Sequence, residues 1–151
     1  GDLIDLSKIE HGDMPGDKIE INEGHIAKAK TIFPILKKLV DGYKGKRVVV
    51  AVCGGSGVGK SEIASLLAHF FIASGTPSYI MSGDNYPHRI PMHNDEKREE
   101  VYEKGGKEAL IKYLGSPDEI EFSAVQKIID EFNSGATTIK LKRMGRKDGE
   151  L

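Results

Sequence analysis

The feature that most constrains the fold of this chain is a glycine-rich turn between an apolar run and an amphipathic helix. Residues 47–52 (RVVVAV) form a short β-branched run, and the turn at residues 54–61 follows directly. A continuous apolar run of this length is typical of a strand buried on both faces of a parallel sheet. Residues 60–74 then have apolar side chains at helical spacing, and Gly75 ends that pattern. With residues 78–81 as a second strand, the segment predicts a βαβ unit with a right-handed crossover.

The turn itself matches the phosphate-binding pattern G-x-x-x-x-G-K-[ST] in full. Glycines allow positive φ and a close approach of backbone N–H groups to an anion, and the following helix adds the partial positive charge of its N-terminus. Lys60 is then expected to be catalytic at the β- and γ-phosphates, and the Ser61 hydroxyl to hold Mg²⁺. The sequence therefore predicts ATP and Mg²⁺ as cofactors, although these residues do not separate ATP from GTP. The predicted nucleotide-binding residues are Gly54, Gly55, Ser56, Gly57, Val58, Gly59, Lys60 and Ser61.

An acidic residue follows the second predicted strand. Asp84 comes just after residues 78–81, at the end of a strand where open α/β sheets bind their ligands. A carboxylate there can accept a proton from a substrate hydroxyl, align that hydroxyl with the γ-phosphate, or hold Mg²⁺ through water. An aspartate that only forms a turn or caps a helix is the alternative. We favour the catalytic interpretation, with Asp84 as a candidate second Mg²⁺ ligand beside Ser61.

Charge and composition exclude several classes of protein. Lys+Arg 22 against Asp+Glu 23 gives a net charge of -1, so general nucleic-acid binding is not expected. No apolar run approaches the roughly 18 residues that a membrane span needs. The single cysteine, Cys53, excludes an intramolecular disulfide and fits a reducing compartment. Because the first residues also have no secretory pattern, we expect a cytoplasmic protein with no membrane association.

The loop, together with the strand that leads into Asp84 and Tyr86, resembles the uridine kinase and phosphoribulokinase group of P-loop small-molecule kinases. The resemblance extends to residues 116–122 (SPDEIEF), the helix after them and Gly135. It implies an α/β fold, the three-layer αβα architecture of P-loop NTPases with a mostly parallel sheet, here incomplete towards its C-terminus. It also implies transfer of the γ-phosphoryl of Mg-ATP to a hydroxyl of a small molecule such as a nucleoside or a sugar phosphate. Asp84 matches the acid that binds and activates the acceptor in that group.

Besides a degenerate nucleotide-binding domain without chemistry, two alternative functions stay open. Gly83-Asp84-Asn85, with Asp95 and Arg98 later in the chain, is similar to adenylylsulfate kinase, which implies adenylyl sulfate as the acceptor. A nucleotide-dependent switch or ATPase module would instead act on a protein partner and use water as its acceptor. The first alternative is also a small-molecule kinase and differs only in its substrate. The second belongs to a different class of protein, because it does not phosphorylate a small molecule.

Arginines complete the predicted substrate site. Guanidinium groups bind phosphate through a fixed fork of donors. Arg89 is favoured because it lies close to Asp84 in the sequence, and Arg143 because it resembles the lid arginines of these kinases; Arg98 and Arg146 are weaker candidates. The predicted substrate-binding residues are Asp84, Tyr86, Arg89 and Arg143.

Residues 1–46 are expected to form an extension, and residues 47–151 the kinase domain. The extension should contain a hairpin and then a helix from the Asn22 cap to Asp41, kinked or divided at Pro34. Further along, we expect a helical stretch that residues 105–106 (GG) interrupt, and a helix that begins with a capping box at residues 123–126. The expected partner is a small molecule with a hydroxyl group, and a homodimer is not excluded.

Overall fold

The computed structural model describes Asp5, Ile9 and residues 20–55 and 57–142. Ser56, Arg143, Arg146 and the predicted N-terminal hairpin lie outside the described residues. In the described ranges, the elements are α1 (Glu23–Asp41), α2 (Lys60–Ala73), a 3₁₀ turn (Gly83–Asn85), α3 (Pro91–Tyr113) and α4 (Phe122–Asn133).

Helix α1 begins at a reciprocal cap. The Asn22 Oδ1 atom accepts the backbone N–H of His25 at 2.9 Å, and His25 Nδ1 accepts the backbone N–H of Asn22 at 3.2 Å. The helix ends at Asp41 with Gly42 as its C-cap, so the predicted boundaries are confirmed. The predicted division at Pro34 is wrong, because the helix continues through this residue. The fixed φ of proline is compatible with a helix, and its main cost is one lost backbone hydrogen bond.

Helices α1 and α2 pack together through apolar side chains. Ala29 and Leu66 are fully buried, and Leu67 is nearly so. The ring of Phe33 meets the rings of Phe70 and Phe71 edge-on, with centroids 5.4 Å and 5.0 Å apart. Each fully buried large side chain contributes about 1.5–3 kcal/mol relative to an exposed one. This contact holds the middle and the C-terminal part of α2 against α1.

The predicted parallel sheet is absent from the described residues, so the prediction of a three-layer αβα P-loop fold is wrong. The described chain is 57% helix and 2% strand. Residues 47–52 and 78–81, both predicted as strands, have no strand pairing among the described residues, and Val49 and Val50 are 47% and 44% exposed. A strand obtains its backbone hydrogen bonds only from a neighbour, and a parallel strand needs cover on both faces. The helices form because their hydrogen bonds are local.

The remaining helices follow the sequence pattern in part. Helix α3 starts with Pro91 in its first turn, and Gly106 interrupts it with φ 68° and ψ −163°, which confirms the predicted break. The predicted capping box at residues 123–126 is wrong, because α4 begins earlier, at Phe122, and Ser123 lies inside its first turn. Between α3 and α4, Pro87 and Ile120 form an isolated antiparallel bridge.

The chain divides into two compact units between Met81 and Ser82. The first contains α1, the glycine-rich loop and α2, and the second contains the 3₁₀ turn, α3 and α4. The boundary near residue 46 between an extension and a kinase domain stays a prediction. Across the described ranges, no helix combines the length and the apolar character needed to cross a membrane.

Candidate functional site

The glycine-rich loop turns into α2 through glycines with positive φ. Gly57 has φ 76°, and Gly59, the N-cap of α2, has φ 92°. A side chain at Gly59 would be strained by this backbone conformation. It would also collide with α1, because a Cβ atom there would lie 2.8 Å from Nε2 of His25. Two independent constraints therefore require glycine at position 59.

The side chain of Lys60 folds back along the loop. Its ammonium group donates a hydrogen bond to the backbone carbonyl of Gly55 at 2.8 Å. A Cβ atom at Gly54 would lie 3.6 Å from the Cγ and Cδ atoms of Lys60, so the aliphatic stem passes close to the start of the loop. The ammonium group and the positive end of α2 thus belong to the same short segment, which favours an anion there. Ser61, half-buried in the first turn of α2, adds a hydroxyl group.

His25 also contacts the loop, although the sequence analysis did not select it. Its Nδ1 atom accepts the backbone N–H of Asn22, so Nε2 carries the proton of the neutral ring. Nε2 is the atom that lies against Gly59. The spacing of Asn22 and His25 is a local signal for the helix cap, but the contact with Gly59 joins two distant segments and has no local signal.

Asp84 lies in the 3₁₀ turn Gly83–Asn85. Its backbone N–H donates a hydrogen bond to the Ser82 hydroxyl at 3.3 Å, and the residue is exposed. The expectation that Asp84 follows a strand at a sheet edge is corrected, because residues 78–81 form no strand. The turn nevertheless holds the carboxylate at the surface of the second unit, where a small molecule can reach it.

The other predicted substrate residues take part in contacts within the second unit. Tyr86 is buried, and its hydroxyl accepts the backbone N–H of Lys142 at 3.1 Å. Arg89 donates at 3.4 Å to the Tyr113 hydroxyl and, also at 3.4 Å, to the backbone carbonyl of Asp118. Arg143 lies outside the described residues.

A buried carboxylate that sequence reasoning missed organises the second unit. Glu119 is 2% exposed, and its two oxygens accept hydrogen bonds from Arg98 Nε at 2.7 Å and Arg98 Nη2 at 3.1 Å. Glu119 also accepts the backbone N–H of Gly115 at 3.1 Å and Nδ2 of Asn94 at 3.4 Å. The Tyr113 hydroxyl donates to Oδ1 of the same Asn94 at 3.1 Å. This set, Glu119, Arg98, Asn94, Tyr113 and Gly115, is called the Glu119 network below.

The protonation of Glu119 follows from two opposing effects. Burial raises the pKa of its carboxyl, but the hydrogen bonds from Arg98, Gly115 and Asn94, together with the charge of Arg98, lower it. The net result is a pKa below the ordinary value of 4.5, so Glu119 is ionised at neutral pH. A buried carboxylate needs such partners, because an unpaired one would be strongly destabilising.

Arg98 lies among carboxylates on one side of the second unit. Its hydrogen bond to Glu119 is the largest influence that raises the pKa of its guanidinium, and the charges of Asp95 and Asp84 add to it against the effect of desolvation. The Arg98 side chain is 41% exposed, in contrast to that of Glu119. The site therefore has a partly exposed guanidinium that is fixed by its hydrogen bonds to a buried carboxylate.

Two further features bear on what the second unit can bind. An open groove of about 350 Å³ is lined by Arg89, His93, Glu96, Lys97 and Glu100. Within the described ranges, no group of three His, Cys, Asp or Glu side chains could hold a metal ion. A magnesium ion beside a nucleotide does not need such a group, because phosphate oxygens and waters supply most of its ligands.

Comparison with known proteins identifies a relative that is named as a two-function enzyme. The chain is 41% identical over 126 residues to a bifunctional alpha-galactosidase/sucrose kinase, AgaSK, of Mediterraneibacter gnavus. The match covers 83% of this chain and 14% of that relative, so the chain corresponds to a small part of a much longer protein. No family model matches the chain. No solved structure matches it either.

Proposed function

We propose that this chain supplies part of an ATP-dependent kinase that transfers a phosphoryl group to a hydroxyl of a carbohydrate. The observation that carries the proposal is the glycine-rich loop that leads into α2 at Lys60. The ammonium group of Lys60 lies 2.8 Å from the carbonyl oxygen of Gly55 in that loop. The relative of 41% identity, named in part as a sucrose kinase, supports the same reaction class. The resemblance to uridine kinases stays a prediction, and the carbohydrate acceptor follows from that relative.

The loop would bind the phosphates of the donor. Lys60 would exchange the Gly55 carbonyl for an oxygen of the β- or γ-phosphate, and the N-terminus of α2 would add its partial charge. One or two protein oxygens are the usual protein ligands of Mg²⁺ at a nucleotide. The half-buried hydroxyl of Ser61 fits that requirement. When bound, Mg²⁺ would neutralise charge on the β- and γ-phosphate oxygens.

Asp84 would act on the acceptor. Its carboxylate would accept the proton of the sugar hydroxyl while the hydroxyl oxygen forms a bond to the γ-phosphorus. The bond between that phosphorus and the oxygen that bridges to the β-phosphate breaks, and ADP leaves. Exposure of Asp84 in the 3₁₀ turn supports this role, because the base has to meet a substrate from solution.

The test is ³¹P NMR of the full chain with Mg-ATP and four separate acceptors: sucrose, uridine, fructose 6-phosphate and adenylyl sulfate. We expect a new phosphomonoester signal with sucrose. The signal should be absent in Lys60→Ala, and it should be strongly reduced in Asp84→Asn while ATP still binds. Lys104→Ala, which changes an exposed lysine of α3, is the matched control and should retain transfer.

The alternative functions give different results in this experiment. A product with uridine or adenylyl sulfate alone would replace the carbohydrate acceptor by the corresponding substrate. Free phosphate without any phosphomonoester would favour the switch or ATPase alternative. Failure of the chain to bind Mg-ATP would overturn the proposal.

A further inference from the structure

The Arg98 guanidinium is fixed in direction by its bonds to Glu119. Its Nε atom donates to Oε2 of Glu119 at 2.7 Å, and Nη2 donates to Oε1 at 3.1 Å. Such a bidentate pair fixes the plane of the guanidinium as well as its position. The pair uses Nε and one hydrogen of Nη2, so the hydrogens of Nη1 are not used by Glu119. The Arg98 side chain as a whole is 41% exposed.

Glu119 is itself held in place by other members of its network. The backbone N–H of Gly115 donates to Oε1 at 3.1 Å, and Nδ2 of Asn94 donates to Oε2 at 3.4 Å. The Tyr113 hydroxyl fixes Asn94 in turn. A buried carboxylate with this many donors cannot rotate without losing hydrogen bonds that water would not replace. Arg98 thus has a rigid support, which a binding residue requires.

The charges around Arg98 are predominantly negative. The chain just after Asp84 pairs with the segment of Glu119, because the backbone N–H of His88 donates to the Glu119 carbonyl at 2.9 Å. The charges of Glu119, Asp95 and Asp84 accordingly raise the pKa of Arg98. Arg89 is connected to the same network through its hydrogen bond to Tyr113. Three carboxylates are therefore accompanied by two guanidinium groups, a balance that repels a doubly charged phosphate ester. Carboxylates and a guanidinium together suit hydroxyl groups, which both donate and accept hydrogen bonds.

We propose that Arg98, oriented by Glu119, binds the acceptor beside Asp84 and that this pair selects a neutral polyhydroxyl molecule over a phosphorylated one. Nη1 of Arg98 donates to a hydroxyl oxygen of the acceptor, while Asp84 accepts a hydroxyl hydrogen. Glu119 is a positioning residue, because it acts only through Arg98. This inference rests on the proposed function and adds the substrate class of its acceptor site.

The test measures initial rates of the full chain with Mg-ATP and either sucrose or fructose 6-phosphate. The wild type should use sucrose with a kcat/KM at least about tenfold higher than for fructose 6-phosphate. The reason is that a phosphate group placed beside carboxylates loses more binding free energy than one hydrogen bond supplies. Arg98→Lys and Glu119→Gln should each raise the KM for sucrose about tenfold, the effect of losing one charge-assisted hydrogen bond. The KM for ATP should stay unchanged in both variants.

Lys107→Gln provides the matched control on α3. Lys107 is exposed, and it lies outside both the Glu119 network and the residues that line the groove. This variant should leave the KM for sucrose unchanged. If Glu119→Gln does not fold, Arg98→Lys decides the question, because it keeps a cation beside Glu119 and removes only the bidentate geometry.

A spectroscopic measurement separates positioning from general stability. In ¹⁵N-labelled protein, the Arg98 Nε–H signal should be protected from exchange with water in the wild type and lose that protection in Glu119→Gln. Addition of sucrose should shift this signal in the wild type. Absence of both effects would show that Glu119 does not orient Arg98 and would overturn the inference.

The outcomes distinguish this inference from the proposed function. Lys60-dependent transfer to sucrose with an unchanged sucrose KM in both variants would overturn the role of Arg98 and leave the kinase proposal intact. A preference for fructose 6-phosphate would overturn the selection of a neutral acceptor. Absence of any Lys60-dependent transfer in the wild type would overturn the proposed function, and this inference with it.

Discussion

The unit that ends at Met81 is built around apolar side chains, whereas the unit that begins at Ser82 buries as many polar side chains as apolar ones among its described residues. Leu66, Leu67 and Phe71 are buried in the first, together with a single buried hydroxyl among its described residues, that of Ser65. Asn94 and Glu119 are buried in the second, and both have hydrogen-bond partners. The stability of the first unit should therefore depend mainly on its buried apolar side chains, and that of the second should also depend on its buried hydrogen bonds and on their protonation.

The difference has a functional consequence. Burial of apolar area is non-directional and insensitive to pH, so it can hold a loop in place without specifying where donors and acceptors point. A network of buried hydrogen bonds fixes those directions, but it depends on the protonation of its members. The first unit suits a donor site formed mainly by backbone, and the second suits recognition of a substrate by side chains.

The largest expected effect is on catalysis through the first unit. Lys60→Ala should lower turnover by about a thousandfold, close to 4 kcal/mol of barrier, because electrostatic stabilisation of the transferring phosphoryl is lost. Stability should change by less than about 0.5 kcal/mol, because Lys60 is not part of the apolar core. Steady-state kinetics and urea unfolding measure the two quantities. Turnover within about threefold of the wild type would contradict the role of Lys60.

The next effect concerns the apolar core. Leu66 is 0% exposed, and Leu66→Ala should lower the free energy of unfolding by about 2–5 kcal/mol through lost burial and the cavity left behind. Ile72→Ala is the control on the same helix, because Ile72 is 51% exposed and its loss should cost less than about 0.5 kcal/mol. Urea unfolding measures both variants. Equal effects would mean that α1 and α2 do not enclose Leu66.

In the second unit, Glu119→Gln should cost about 2 kcal/mol at neutral pH. The amide keeps the shape of the side chain but loses its charge, so the bidentate bond to Arg98 becomes weaker and one donor is left unmatched. The value is lower than for a fully buried ion pair because Arg98 is partly exposed. Urea unfolding at pH 7 measures it, and an unchanged midpoint would show that the Glu119 network does not stabilise the unit.

The same variant should change how stability depends on pH. The pKa of Glu119 is lowered in the folded chain, so its contribution is fully present above the ordinary value of 4.5 and is lost as the pH falls below it, towards the lowered pKa. Unfolding from pH 6 to pH 3 should therefore show a fall in stability that is smaller in Glu119→Gln. An equal fall in both proteins would contradict this expectation.

Glu100 titrates in the same range and needs its own control. Hydrogen bonds from Lys104 and Lys97 lower its pKa to about 2, but the pair lies on the surface. At about 0.5 M salt the Debye length is only a few ångströms, so surface pairs are largely screened while the Glu119 network is not. The pH dependence that remains at high salt should then be that of Glu119, and Glu100→Gln should leave it unchanged.

Local patterns could be predicted from the sequence, whereas contacts between distant segments could not. The Asn22 cap, the Gly106 break and the glycine-rich loop are local patterns, and the structure contains each of them. Residues 47–52 show why a strand is harder to predict. A β-branched run favours an extended backbone, but the hydrogen bonds of a strand must come from another segment. In the described residues no such segment pairs with it.

The Glu119 network was not predictable for a related reason. Glu119 and its neighbour Asp118 look alike in the sequence, yet one is buried and the other exposed. The difference arises because Arg98, 21 positions earlier, lies opposite Glu119 in the folded unit. Asp84 was predicted to lie at a sheet edge that is absent from the described residues, although its charge does help to raise the pKa of Arg98. The chemistry of a residue type could be predicted, but its surroundings could not.

The smallest effect concerns the buried hydroxyl of the first unit. Ser65 Oγ has no hydrogen-bond partner among the described residues, and the side chain is 2% exposed. Ser65→Ala should therefore stabilise the chain by about 1 kcal/mol, because it removes an unsatisfied polar group and improves helix propensity. Ser123→Ala, at an exposed position of α4, gains propensity alone and should change stability by about 0.5 kcal/mol or less. Urea unfolding of the two variants compares them directly. A loss of stability in Ser65→Ala would mean that the hydroxyl is satisfied, and that the first unit depends on a buried polar contact as the second does.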